Sequence, residues 1–225
     1  MQFDRDVYFA GVRNSLFGGA MQQVHVDGQN LLLAMYESGW AGTPFNDLRW
    51  LAYLLASVYH ETAQRMWPLK EFGEGAGHEY GEVDPETGQR YFGRGLIQIT
   101  WRDNYSNATK MLSLVGDRDL EWHPDVALDS LIAARITFRG LAEGWFTGKK
   151  LGDYFNEDTD DPVNCRRCVN GNDQDTLIAS YHEEFLAALQ AASPATVSVA
   201  GEQTYTTTIT ISSNSPITVQ GEENA

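Results

Sequence analysis

The chain has 225 residues, 42% of them apolar, which suits one sizeable packed domain and excludes global disorder. Its formal net charge of −15 argues against nucleic acid, whose binders present basic patches, and gives no pull towards an anionic membrane or cell wall. No run reaches the roughly 18 apolar residues of a spanning helix, and Met1 to Asp6 lacks the basic-then-apolar layout of a secretory signal; a chain made in a cytoplasm, without membrane insertion, is expected.

Residues 3–38 predict two short helices. Val7, Tyr8, Val12 and Leu16 form one stripe, stopped by Gly18 and Gly19. Val24, Val26, Leu31, Leu32, Leu33, Met35 and Tyr36 form a second, stopped by Gly39, with Glu37 read as a solvated charge. The clearest helix follows. Asn46 or Asp47 can cap it, and Leu48, Leu51, Ala52, Leu55, Val58 and Tyr59 recur at helical spacing. Glu61 falls in its last turn, about 120° from the stripe centre, beside Leu54 and Val58. Partial burial and the negative end of the helix dipole both disfavour a charged carboxylate there, as a general acid requires.

Residues 68–90 predict irregular surface chain, because Pro68, Gly73, Gly75, Gly77, Gly81, Pro85 and Gly88 break every period. Glu71, Glu74, Glu79, Glu82 and Glu86 lie in it, most of them read as solvated, and so long a loop without structure of its own is commonly functional or disordered. In the run from Gln89 to Thr100, glycines 93 and 95 permit close backbone approach. Leu96, Ile97 and Ile99 anchor the run, with Gln98 and Thr100 between them. Helix is expected again from Trp101 to Val115, with Tyr105, Ala108, Met111, Leu112 and Val115 on one face. A second is expected from His123 to Trp145, apolar enough to be the central packed helix, with Arg135 and Arg139 sharing a side. The acidic run Glu157 to Asp161 lacks the EF-hand spacing. A last helix, capped by Asn172 or Asp173, turns Leu177, Ile178, Tyr181, Phe185, Leu186 and Leu189 inward. Residues 193–225 hold no lysine or arginine, and Val197, Val199, Ile209, Ile211, Ile217 and Val219 alternate with small polar residues. This is a β pattern, expected as a separate tail of two or three short strands that pairs with another copy, a partner or the main domain at 1–192.

His60-Glu61-Thr62-Ala63-Gln64 misses the zinc-peptidase pattern at its decisive place, where Gln64 replaces the second histidine. Cys165 and Cys168 make half a zinc site at best and lie near no βαβ pattern, so they read as two ordinary thiols, and neither metal nor cofactor is expected. The serviceable constellation is a set of carboxylates flanking a cleft lined by Trp67, Tyr91, Phe92 and Trp101, aromatics on which sugar rings stack.

His60-Glu61-Thr62, the run Tyr91-Phe92-Gly93-Arg94-Gly95-Leu96-Ile97-Gln98-Ile99-Thr100, and Asn104-Tyr105 resemble the catalytic core of family 19 glycoside hydrolases, which are chitinases and related endolysins. The resemblance runs from about Phe3 to Leu189. Leu141 to Gly148 and Arg166 to Gly171 look more like the phage endolysin branch than the plant chitinases. It implies a mainly α, lysozyme-like domain of two lobes with a central cleft; the short β-rich tail after Ser193 lies outside the resemblance. It implies Glu61 as general acid and a loop glutamate as base, Glu71 by its place after Pro68-Leu69-Lys70, with Glu74 and Glu79 as alternatives. Thr100 would help hold the attacking water. His60, Tyr91, Gln98, Trp101, Asn104 and Asn170 would bind sugar. The expected partner is peptidoglycan or a chitin-like polysaccharide, cut with inversion, after holin release or from a virion that the tail docks to. A chitinase and a catalytically idle virion component remain the rival readings.

Overall fold

The computed structural model describes residues 2–40 and 44–194. The expected β tail, from Ala195 onward, lies outside the described residues. The described residues form six α-helices and a two-stranded ribbon. Helices α1 (Arg5–Ser15), α2 (Gln23–Met35), α3 (Leu48–Glu61) and α6 (Asp175–Ala192) gather around one core with part of α5 (Ser130–Glu143). A smaller core holds Tyr91, Ile97, Ile99, Leu120 and Ala127 with the inner face of α4 (Arg102–Leu112). Helix α5 serves both cores: Ala133, Ala134, Phe138 and Leu141 pack into the first, Ile132 and Ile136 into the second. Its two apolar faces therefore join two lobes.

Carboxylates start three of the six helices. Asp4 accepts from the amides of Asp6 and Val7, Asp47 from Arg49, and Asp129 from Leu131 and Ile132, satisfying donors the first turn leaves free. The Asp129 cap also divides what the apolar pattern suggested was one helix from His123. Pro124–Leu128 is a 3-10 segment, and α5 begins only after it. The central packed helix is α3 rather than α5, since every residue from Trp50 to Tyr59 is buried. Burial also departs from the stripes elsewhere. Val7 is exposed while Phe9 is buried. Ser113 adopts φ +53° and ends α4, which leaves Val115 beyond it in solvent and Met111 partly so. Gln174 rather than Asn172 or Asp173 precedes α6, and Leu177 faces outward while His182 faces in. Glu37 is not simply solvated. It takes two hydrogen bonds from Arg5 and one from the Phe3 amide. Burial alone would raise its pKa, but these bonds win and the net shift is downward.

Strands β1 (Leu69–Lys70) and β2 (Arg94–Gly95) pair antiparallel, Leu69 opposite Gly95 and Lys70 opposite Arg94. The ribbon packs on the 3-10 segment Pro124–Leu128, with Gly95 against the Ala127 carbonyl. Two features fix the route from α3 to it. Thr62, fully buried, donates its hydroxyl to Val58 O and accepts from Met66 N. Ala63, Gln64 and Met66 then take positive φ values of 46°, 69° and 57°, a sharp left-handed exit uncommon for residues with side chains. Met66 ends with its carbonyl against Gly28 of α2, where a Cβ would sit 1.7 Å from the oxygen.

Candidate active site

A cleft of about 690 Å³ opens between the lobes, and Glu61 and Glu71 both line it. Glu61 comes from the last turn of α3. Its Oε1 accepts from Arg166 Nη1 at 2.6 Å, and the arginine side chain is 3% exposed. Arg166 is itself held by Nε donating to Asp173 O at 3.0 Å. The surroundings of Glu61 are thus not only apolar, as the α3 stripe implied; a buried cation touches it. Beside it His60 is half-buried. Desolvation lowers its pKa against the opposing charge of Glu61, so the neutral ring is favoured.

Glu71 follows β1 and extends the ribbon by one pair, its amide donating to Gly93 O at 2.8 Å. Its carboxylate accepts from Gly93 N at 2.9 Å and from the Tyr80 hydroxyl at 3.0 Å. Burial, then this bond, raises the tyrosine's pKa and keeps the phenol protonated as a donor. Gly93 leaves little room for a side chain: a Cβ there would lie 2.8 Å from Gln98 Oε1 and 3.3 Å from Glu71 Oε2, so Gln98 would have to shift. Gln98, at φ +53°, spends its amide nitrogen on Leu69 O and Gly95 O, each at 3.1 Å, which ties both strands together beneath the site.

His60, Gln98, Thr100, Trp101, Asn104 and Asn170 also line this cleft. Asn104 donates to Thr100 O at 2.9 Å, and Trp101 is 48% exposed, its ring edge-on to Tyr80 at 5.5 Å. Tyr91 is a correction. Its ring is buried in the smaller core against Tyr105, and its hydroxyl bonds Glu121 O and Thr87 within the protein, so nothing of it is left for a ligand. Phe92 and Trp67 do not line the cleft either; Phe92 lies under the Arg94 guanidinium, 3.6 Å from its ring centre. Glu74 and Glu79 lie outside the cleft. Glu74 borders a second, larger groove of about 870 Å³ across the ribbon. In that groove Asp125 is bonded to Lys70 and Arg94, and Asp129 is occupied in capping α5.

The pattern of residues did not reveal Tyr80, Phe72, Phe146 or Arg166. Phe146 reaches the cleft because its ring lies on Gly140 of α5. Arg166 had one usable signal: an arginine next to two cysteines that bury well is itself placed for burial, and a buried arginine requires an acid. Among the described residues no group of three or more histidine, cysteine or acidic side chains could hold a metal ion, and no helix is long and apolar enough to cross a membrane.

The fold and cleft define a lysozyme-like, mainly helical protein with two carboxylates, Glu61 and Glu71, lining one cleft. No protein-family model matches the chain. In an alignment 137 positions long that covers 57% of this chain, it is 32% identical to Chitinase 4 and 31% identical to Chitinase 5 of Oryza sativa subsp. japonica. The match covers 46% of each, so the chain spans about half the length of the curated relatives it matches. In fold it is similar to chitinase C from Streptomyces griseus (TM-score 0.57, 19% identity, 84% of this chain and 76% of that one). It is also similar to a class IV, family GH19 chitinase from Zea mays (TM-score 0.50, 18% identity, 82% and 92%). The chain is therefore similar to chitinases in sequence over a little more than half its length, and its fold over most of its length is that of the family GH19 chitinase.

Proposed function

We propose that the chain is a glycoside hydrolase that cuts β-1,4 bonds of an aminosugar polymer by inversion, with peptidoglycan as the substrate. The observation that carries the reading is that Glu61, from the end of α3, and Glu71, from the end of β1, line one cleft. Glu61 is the general acid. Arg166 occupies its Oε1 and leaves Oε2 to deliver a proton to the departing glycosidic oxygen. Glu71 is the general base, both oxygens accepting hydrogen bonds as a carboxylate does, and takes a proton from a water held by Thr100. That water attacks the anomeric carbon on the face opposite the leaving group, and its hydroxyl stays there. Inversion requires the two carboxyls to stand roughly 6.5–9.5 Å apart, with the water between one of them and the sugar. Trp101 stacks on a ring, while His60, Gln98, Asn104 and Asn170 bond sugar substituents.

The peptidoglycan reading rests on the likeness of Leu141–Gly148 and Arg166–Gly171 to endolysins. Phage holin release, or a virion docked through residues 193–225, would deliver the protein to a wall. The matches to chitinases favour a second reading, chitin itself. Digestion of chitin oligomers and of purified peptidoglycan, with reducing ends read by mass spectrometry, separates the two. Release from peptidoglycan alone supports an endolysin, and release from chitin alone supports a chitinase. Release from neither by a folded protein defeats the hydrolase reading.

A further inference from the structure

Cys165 and Cys168 are the chain's only cysteines and both are fully buried. They lie on one 3-10 turn, Asn164–Cys168. Side chains three apart eclipse one another on such a helix, and the two sulfurs accordingly meet at 3.9 Å. A disulfide needs about 2.05 Å, so rotation about the two Cα–Cβ bonds has roughly 1.9 Å to close. Between the two cysteines sits Arg166, whose guanidinium bonds Glu61 and whose carbonyl accepts from the amides of Val169 and Asn170.

The geometry points to a modification site: Cys165 and Cys168 close a disulfide that clamps the turn presenting Arg166 to the cleft. The oxidant is a low-molecular-weight disulfide. One thiolate attacks it and expels one small thiolate, giving a mixed disulfide. The other cysteine then attacks the protein sulfur and expels the second, so two electrons pass from the protein to the oxidant. Burial raises the Cys165 pKa strongly, so the nucleophilic form is scarce in the folded protein. The bond therefore closes while the chain folds, and burial afterwards shields it from reductant.

The test uses the full chain, refolded with or without oxidised glutathione, alkylated and digested with trypsin. Trypsin cuts after Arg166 and Arg167, between the two cysteines, so the flanking peptides stay joined only through the disulfide. Joined peptides, with intact mass lower by about two hydrogens, are expected after oxidative refolding. Separate peptides carrying free thiols or glutathione adducts would overturn the site. The folded, reduced protein should form the bond at least tenfold more slowly than the refolding chain, and equal rates would refute the shielding. Exchange of the Val169 and Asn170 amides should slow at least tenfold in the oxidised form; unchanged exchange would refute the clamp. None of these readouts depends on hydrolysis.

Discussion

Glu61 ends a helix buried from Trp50 to Tyr59 and is bonded to a guanidinium 3% exposed. Glu71 follows a two-residue strand, and its partners are neutral, one peptide N–H and one phenol. The helix wall is thus fixed by packing and a hydrogen bond from a buried guanidinium, the ribbon wall by a lattice of hydrogen bonds threaded through Gly93 and Gln98. The proposed inverting hydrolysis would use the contrast. The acid has to meet a fixed bond, whereas the base has to accommodate a water that arrives with the substrate.

The largest test is symmetrical. Glu61→Gln and Glu71→Gln should each lower sugar release by about 10²–10⁴-fold with circular dichroism unchanged, the range for loss of a general acid or base. Full activity in either variant removes that residue from the chemistry. Arg166→Met then tests the helix wall alone. Leaving Glu61 Oε1 without its donor should lower stability by about 1–3 kcal/mol in denaturant melts. The double variant with Glu61→Gln should fall well short of the summed losses, because the two residues act through one contact. Additive losses would mean that the pair is incidental.

Acid probes the same wall. His182 of α6 is buried against Tyr53 and Phe155, and desolvation holds its pKa down at about 4. An unfolded histidine titrates near 6.5, so between pH 6.5 and 4 the unfolded chain binds more protons, and stability falls as pH falls. The loss should approach about 3 kcal/mol by pH 4. His182→Phe should flatten this part of the melting-temperature profile; an unchanged slope would place its origin elsewhere. On the ribbon wall Gly93→Ala should lower stability by about 1–3 kcal/mol through overpacking against Gln98 and Glu71, and activity with it. Tyr80→Phe, which removes one donor to Glu71, should be mildest, at about 1 kcal/mol in melts.

The sequence rendered the two walls unequally. Helix α3, its Asp47 cap and the place of Glu61 follow from a 3.6-residue period, which is a local property. Glu71 could be chosen over Glu74 and Glu79 only by analogy, because its place depends on pairing with a strand more than twenty residues away, and no period records that. Tyr91 was misplaced for a related reason. An aromatic with a hydroxyl suits a sugar site as well as a core, and only the carbonyl of Glu121, thirty residues on, decides between them. Arg166 escaped because its carboxylate partner is 105 positions distant.

The left-handed exit at Ala63–Met66 has a bearing on how chains of this kind can drift in length. Thr62 locks one end of the exit, and Gly28 receives the other with no space for even a methyl group. A residue inserted between them would pull the Met66 carbonyl from its seat and slide β1 by one position, turning Glu71 towards the opposite groove. Insertions and deletions should therefore accumulate beyond Glu71, in the exposed turns around Gly77 and Gly88, and spare the short span that sets one glutamate against the other.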